Sequence, residues 1–361
     1  MHDKQGRVLA NIWFILLAFL IPISVFAQPT YTTDNGTLIR WKKLPVKICV
    51  NESIPSKFRN VLTESIKIWN VAFEKPLFTS ECVSKTDVKD INRVDDHSVY
   101  WVTKGFENFT EKTSLARTVY EFDQKTGEMT DADIMINAQY FDWDTINADL
   151  KTVLIHELGH FIGLKHNFIS RESVMNYFPY LSGYKFEGFG EFEKNAVNFL
   201  YFKKKWNIPF YVKEHFFNNR TKSIQLLKDI KKPSADQYYS LAIQLKSEKK
   251  YSQAIEYFKK YLVIKPKDEI AIYQLGDAYW GNDLLKDADV EFTKILKLNP
   301  HNYEAAANLG FIYYQNGEIG NAQKYFEIAI MNNPSHYLVC QYLYEITKKV
   351  KYLECQKKYS P

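Results

Sequence analysis

The residues best suited to chemistry lie together in His156-Glu157-Leu158-Gly159-His160-Phe161-Ile162-Gly163-Leu164-Lys165-His166. On a helix, side chains four apart sit one above the other on the same face. His156 and His160 therefore aim two imidazoles at one point, with Glu157 beside them. Gly163 can take the left-handed backbone conformation that ends a helix and turns the chain. Such a turn brings His166 back as a third nitrogen ligand. Three protein ligands with an open fourth position make a catalytic zinc site, whereas four make a structural one. Zinc lowers the pKa of its bound water to ~7. Glu157, beside the ligands rather than among them, takes the proton of that water and passes it to a leaving amine. The bland alternative is coincidence, since a single buried His is more often structural than a ligand. Three His at these spacings, with Glu and Gly between them, form a different class of signal.

The pattern H-E-x-x-H-x-x-G-x-x-H resembles that of the metzincin zinc peptidases. A second part of that signature follows in Ser173-Val174-Met175-Asn176-Tyr177. The resemblance implies a turn in which Met175 lies under the zinc as an apolar floor. It also implies that Tyr177, two residues on, reaches the metal or the transition-state oxyanion. Taken alone, Met175 and Tyr177 would read as an apolar turn in a core.

The elements that must position this site read as follows. Pro45 to Val50 alternates as a first strand. Pro55 opens a helix whose apolar face is Phe58, Val61, Leu62, Ser65, Ile66 and Trp69. Ser80 to His97 is polar and reads as a loop, and Val99 to Val102 as a second strand. Leu115 to Phe122 and Asp131 to Asn137 read as strands about a turn at Gln124 to Gly127. Leu150 to Gly163 is the site helix, and Glu191 to Tyr201 a final helix with Phe192, Ala196, Phe199 and Leu200 on its apolar side. The order is β-α-β-β-β-α-turn-α. It resembles the metzincin catalytic domain over residues 45–202, nearest to the matrixins, with a Met-containing turn more like that of serralysins. The implied fold is α+β: a twisted, mostly parallel sheet with an antiparallel edge strand and an active-site helix. Ala132-Asp133-Ile134-Met135-Ile136 resembles the A-D-I-x-I segment of matrixins. There that segment is the sheet edge that pairs with an extended polypeptide substrate by strand addition. Asp131 and Asp133 also offer oxygen ligands for calcium, without a loop of further oxygens to complete a site.

The chain has 361 residues, enough for two domains with separate cores. A hydrophobic share of 46% and a charged share of 25% are those of a globular protein. A net charge of +5 is mild and gives no reason to invoke nucleic acid. Residues 1–27 read as a secretory signal: Lys4 and Arg7 precede an apolar run from Ile12 to Ile21, with cleavage after Ala27. The run is shorter than the ~20 residues of a spanning helix, so no stable membrane span is expected. The alternative is an uncut anchor. The expected location is secreted or otherwise extracytoplasmic. Export makes disulfides of Cys49, Cys82, Cys340 and Cys355. Cys49 with Cys82 and Cys340 with Cys355 is one of three pairings open to them. Residues 28–44 are a short N-terminal segment with no Cys, so a matrixin-type cysteine latch cannot come from there.

Residues 203–232 carry nine Lys or Arg against two acids, Glu214 and Asp229, and read as a basic linker. From Ala235 the chain repeats with period 34. Ala242, Gly276 and Gly310 correspond, as do Ala254, Ala288 and Ala322, then Phe258, Phe292 and Phe326, then Pro266, Pro300 and Pro334. This resembles tetratricopeptide repeats, an all-α solenoid. Residues 233–336 then hold three units, at 235–268, 269–302 and 303–336, and 337–361 form a capping helix and tail. A protein partner or the substrate is the expected ligand of the repeats. Two classes of function follow: an extracytoplasmic zinc endopeptidase with Glu157 as general base, or a repeat-based binding or assembly protein with a vestigial metal site. A zinc amidase on the same site ranks below both, because an exposed sheet edge suits extended polypeptide.

Overall fold

A computed structural model describes residues 30, 31, 33, 37–88, 97–110, 114–144, 146, 148–167, 170, 171, 173–176, 185–204 and 220–360. The expected secretory signal, Tyr177 and half of the expected linker, residues 205–219, lie outside them.

The N-terminal region is α/β. Strands β1 (Val46–Asn51), β2 (Phe78–Ser84), β3 (Ser98–Val102), β4 (Ala116–Phe122) and β5 (Met129–Asn137) form one sheet in the order β2-β1-β3-β5-β4. The first four strands in that order run parallel, and β4 closes the sheet antiparallel to β5. Strand alternation sorts the side chains. Val46, Ile48, Val99, Ile134 and Ile136 join the main core, which also takes in helix α1 (Ser56–Val71) and helix α2 (Leu150–Phe161). Tyr100, Val102, Phe106 and Met135 form a smaller core of their own. Trp69 of α1 is fully buried and its indole N–H donates to Ile155 O of α2 at 3.0 Å, locking the two helices together.

Two expectations about strands change. Residues 80–97 were expected to loop, yet β2 covers Phe78–Ser84. Its polar composition hides it, because an edge strand with Val83 exposed needs little apolar alternation. Its start is held by Asn70, whose side chain bonds Leu77 N, Phe78 N and Phe78 O. Cys49 and Cys82 face each other across the β1–β2 pair and are disulfide-bonded. The second change concerns the sheet edge. Ala132 to Ile136 is interior, hydrogen-bonded to β3 on one side and β4 on the other, so the edge is β4.

Helix α3 (Glu191–Tyr201) buries Phe192, Glu193, Ala196, Val197 and Leu200, with Phe199 only half-buried. Part of the expected linker is helical: α4 (Arg220–Lys228) buries Ile224 and Leu227 in the main core. Then come the paired helices α5 (Ala235–Ser247) and α6 (Tyr251–Ile264), α7 (Glu269–Gly281) and α8 (Leu285–Leu298), and α9 (Tyr303–Gln315) and α10 (Ile319–Asn332). Each pair is one 34-residue unit. Phe258, Phe292 and Phe326 are fully buried at equivalent places, and the rings of Phe292 and Phe326 lie directly over Gly276 and Gly310. A Ser or acidic/amide side chain caps each first helix: Ser234, Asp268 and Asn302. The expected single capping helix is instead two, α11 (Tyr337–Thr347) and α12 (Val350–Tyr359), which break at Lys348 with φ 57° and are stapled by Cys340–Cys355. Among the described residues no helix is long and apolar enough to cross a membrane.

Candidate metal centre

Helix α2 is capped by Asp149, whose carboxylate accepts from Thr152 N at 2.9 Å. It ends at Phe161, and Gly163 takes φ +92°. Only glycine suits that place on two counts: the left-handed backbone, and a Cβ that would stand 2.6 Å from Ile39 O. The turn folds His166 back over α2. The three imidazoles then converge: His166 Nε2 is 3.0 Å from both His156 Nε2 and His160 Nε2. All three offer a nitrogen within 4.8 Å of the others, and they are the one such cluster of His, Cys, Asp or Glu among the described residues.

The outward nitrogens of two rings are already committed. His156 Nδ1 lies 2.8 Å from Val174 O, and His160 Nδ1 2.8 Å from Leu164 O. A carbonyl can only accept, so both Nδ1 atoms carry the proton and both Nε2 atoms present lone pairs. Burial pushes His156 down to about 4 and holds His160 and His166 well below the ordinary imidazole value. All three rings are therefore neutral at pH 7. Ligands at ~2.0–2.1 Å on a tetrahedral zinc stand about 3.3 Å apart, close to the separations here. The donor set fits zinc: neutral imidazoles, two of them oriented by a hydrogen bond from the far nitrogen.

Glu157 is buried beside them. Burial raises its carboxyl to about 7, against a lowering by the Thr118 hydroxyl, 2.6 Å from Oε2, and by the charge of Arg117. Thr118 lies on the edge strand β4, so the carboxylate is held between α2 and the sheet edge. Met175 is fully buried, and its Sδ lies where a Cβ on Gly159 would be 2.3 Å away. The methionine thus sits under the helix turn between the first two histidines. Asp131 and Asp133 are engaged by the protein: Asp131 Oδ1 lies 2.6 Å from His97 Nδ1, and Asp133 accepts from Ser98 N at 2.7 Å.

Several residues around the site carried no sequence signal. Thr30, Tyr31 and Trp41, in what was expected only as a short N-terminal segment, lie along the third-histidine loop. Thr30 pairs antiparallel with Leu164, Tyr31 N donates to Gly163 O, and the Trp41 indole donates to Phe161 O at 2.8 Å. Tyr31 places its hydroxyl 3.4 Å from His160 Nδ1, and burial raises its phenol above the ordinary value. Glu193, fully buried on α3, accepts from Ser173 Oγ and Met175 N and from Gly190 N at 3.1 Å. It ties the Met175 turn to α3, and burial lifts its carboxyl to about 7. A carboxylate at a helix start reads as an ordinary cap, which is why its partners 18 and 20 residues back were invisible.

The family model of the tetratricopeptide repeat matches residues 303–336, and that unit is such a repeat. No curated protein matches the chain. Among solved structures, it is similar to MamA at 21% identity, covering 42% of this chain and 91% of that one, with a TM-score of 0.38. MamA from Desulfovibrio magneticus RS-1 is similar at 17% identity, over 42% and 94% of the two chains, with a TM-score of 0.38. The first repeat domain of Spaghetti (RPAP3), bound to an HSP90 peptide, is similar at 17% identity over 32% and 93%, with a TM-score of 0.30.

Proposed function

We propose that the chain is an extracytoplasmic zinc-dependent endopeptidase of the metzincin type, joined to repeats that bind a protein partner or the substrate. One observation carries this reading: the Nε2 atoms of His156 and His160 each lie 3.0 Å from that of His166, with a buried carboxylate beside them. His156, His160 and His166 would hold the zinc. When bound, zinc supplies a Lewis acid for a peptide carbonyl and an acidified water.

The chain's own residues supply the rest. Glu157 takes a proton and returns it to the leaving amine, and Thr118 keeps its carboxylate oriented. Met175 fills the floor beneath the ring cluster. β4 is the last strand of the sheet among the described residues, and its outer side suits an extended polypeptide laid alongside as a further strand. Tyr177 is assigned to oxyanion stabilisation by the resemblance alone.

The test is a pair of variants of the mature protein. Glu157→Gln keeps one zinc per chain by elemental analysis and loses cleavage of an unstructured protein such as casein by at least ~100-fold. His160→Ala loses both. Cleavage by Glu157→Gln at the wild-type rate removes the assigned base. Zinc-free, inactive wild-type protein favours the alternative reading, a repeat-based binding protein with a vestigial site.

A further inference from the structure

A buried cation links the repeats to the segment beside the metal centre. Arg171 lies in the segment between His166 and the Met175 turn. Its Nε donates to both carboxylate oxygens of Asp268, at 3.0 and 2.8 Å, and its backbone N donates to Asp236 at 3.1 Å. Asp236 belongs to the first turn of α5, and Asp268 caps α7. The pair is well sheltered, with 15% and 11% of the two side chains exposed.

Asp268 is held in turn by Ile270 N, Ala271 N and the Tyr261 hydroxyl, the last at 2.6 Å. The Arg171 side chain therefore docks on Asp268, which the first two repeats hold in place. Beside it, Asn176 hydrogen-bonds the hydroxyl of buried Tyr239 on α5.

The same segment is closed on itself at the metal site. Asn167 N, next to His166, donates to Met175 O at 2.8 Å, and Asn176 Nδ2 donates to Ser170 O at 3.1 Å. Val174 O fixes the His156 ring. A displacement at Arg171 therefore bears on two of the three histidines: His166 lies five residues before it, and Val174, whose carbonyl holds the His156 ring, three residues after it. The far end of the solenoid also returns to the α/β region, where the rings of Tyr359 and Tyr140 lie 5.8 Å apart.

We propose that Arg171 is a positioning residue: through its contacts with Asp268 and Asp236, the repeats hold the segment that sets His166, His156 and Met175. The solenoid is then a working part of the metal site rather than an independent module, and a ligand that shifts α5 against α7 shifts the site with them. The importance of that for catalysis rests on the peptidase reading; the clamp itself does not.

The test uses the full chain, with Arg171→Gln, Asp268→Asn and the double variant. Lys246→Met serves as control, because Lys246 pairs with Asp277 within the repeats. Amide exchange over peptides from His166 to Asn176 is expected to rise at least tenfold in each single variant, with β1–β5 unchanged. The double variant is expected to exchange no faster than the worse single one, and Lys246→Met to leave these peptides at the wild-type rate. Zinc affinity, by competition with a chromophoric chelator, is expected to fall about tenfold in the same two single variants. Unchanged exchange over His166 to Asn176, or a rise spread evenly over the chain, overturns the clamp. If Asp268→Asn disturbs the start of α7, Arg171→Gln, outside the repeats, carries the same test. Wild-type protein that binds no zinc removes the peptidase reading, while the exchange result still decides the clamp.

Discussion

Thr118 Oγ1 stands 2.6 Å from Glu157 Oε2, joining the edge strand of the sheet to the helix that bears two of the three histidines. On the proposed peptidase reading, substrate pairing and proton transfer would meet at this one hydrogen bond. A peptide laid along β4 touches the strand that aims the carboxylate. Thr118→Val keeps the shape and removes the donor. A hydrogen bond to the ionised form favours that form, so its loss raises the Glu157 carboxyl further. Catalysis that needs ionised Glu157 then begins at higher pH. The expected result is a cleavage rate about tenfold lower at pH 7, with the acid limb of the kcat/KM profile moved upward. An unmoved limb would mean that Thr118 does not orient the base.

Gly159 and Met175 form the second close pair. A Cβ on Gly159 would stand 2.3 Å from Met175 Sδ, so the thioether must move. Alanine gains helix propensity by roughly 1 kcal/mol over glycine, which opposes an overpacking cost of about 1–3 kcal/mol. Gly159→Ala is therefore expected to change Tm by only a few degrees. The displaced Met175 turn carries Val174 O, which orients His156. Zinc affinity should consequently fall about tenfold in a chelator competition, and an unaltered affinity would count against the floor role of Met175.

Glu193 makes stability depend on pH. Its carboxyl is raised from 4.5 to about 7 by burial. Between those values the folded chain holds a proton that the unfolded chain has released. That contribution is complete below pH 4.5 and is lost as pH rises through about 7; it amounts to roughly 3 kcal/mol. Gln is the neutral isostere and lacks this dependence. The Tm of Glu193→Gln relative to wild type should therefore improve steadily from pH 5 to pH 8. A constant difference across that range would show that Glu193 does not titrate there.

The Cys340–Cys355 bridge closes a loop of 15 residues. Loop-closure entropy puts its worth at about 3 kcal/mol. Replacing both cysteines by serine should release α12 before the repeats unfold, since α12 buries only Tyr352 and Tyr359. Hydrogen exchange would show loss of protection confined to residues 350–359. Concerted loss through α9 and α10 would instead make the cap part of one cooperative unit.

Spacing along the chain already carried the metal cluster and the solenoid. His156, His160, Gly163 and His166 lie within 11 residues, so the local helical period and one left-handed turn bring the rings together. The 34-residue repeat is equally local, because each unit packs against its neighbour. What stayed hidden involves residues far apart in the chain. β2 is held by Asn70 and by its pairing with β1, not by its own apolar pattern. The sheet edge fell to β4 because strand order depends on which crossovers the helices allow, and alternation within Ala132 to Ile136 is the same at an edge or inside. Tyr31, Thr118, Glu193 and Arg171 reach partners 18 to 129 residues away. Each looks like an ordinary surface or cap residue until folding removes water from it. Burial then turns a hydroxyl, a carboxyl or a guanidinium into a group that must find a specific partner, and that demand exists only once the core has closed.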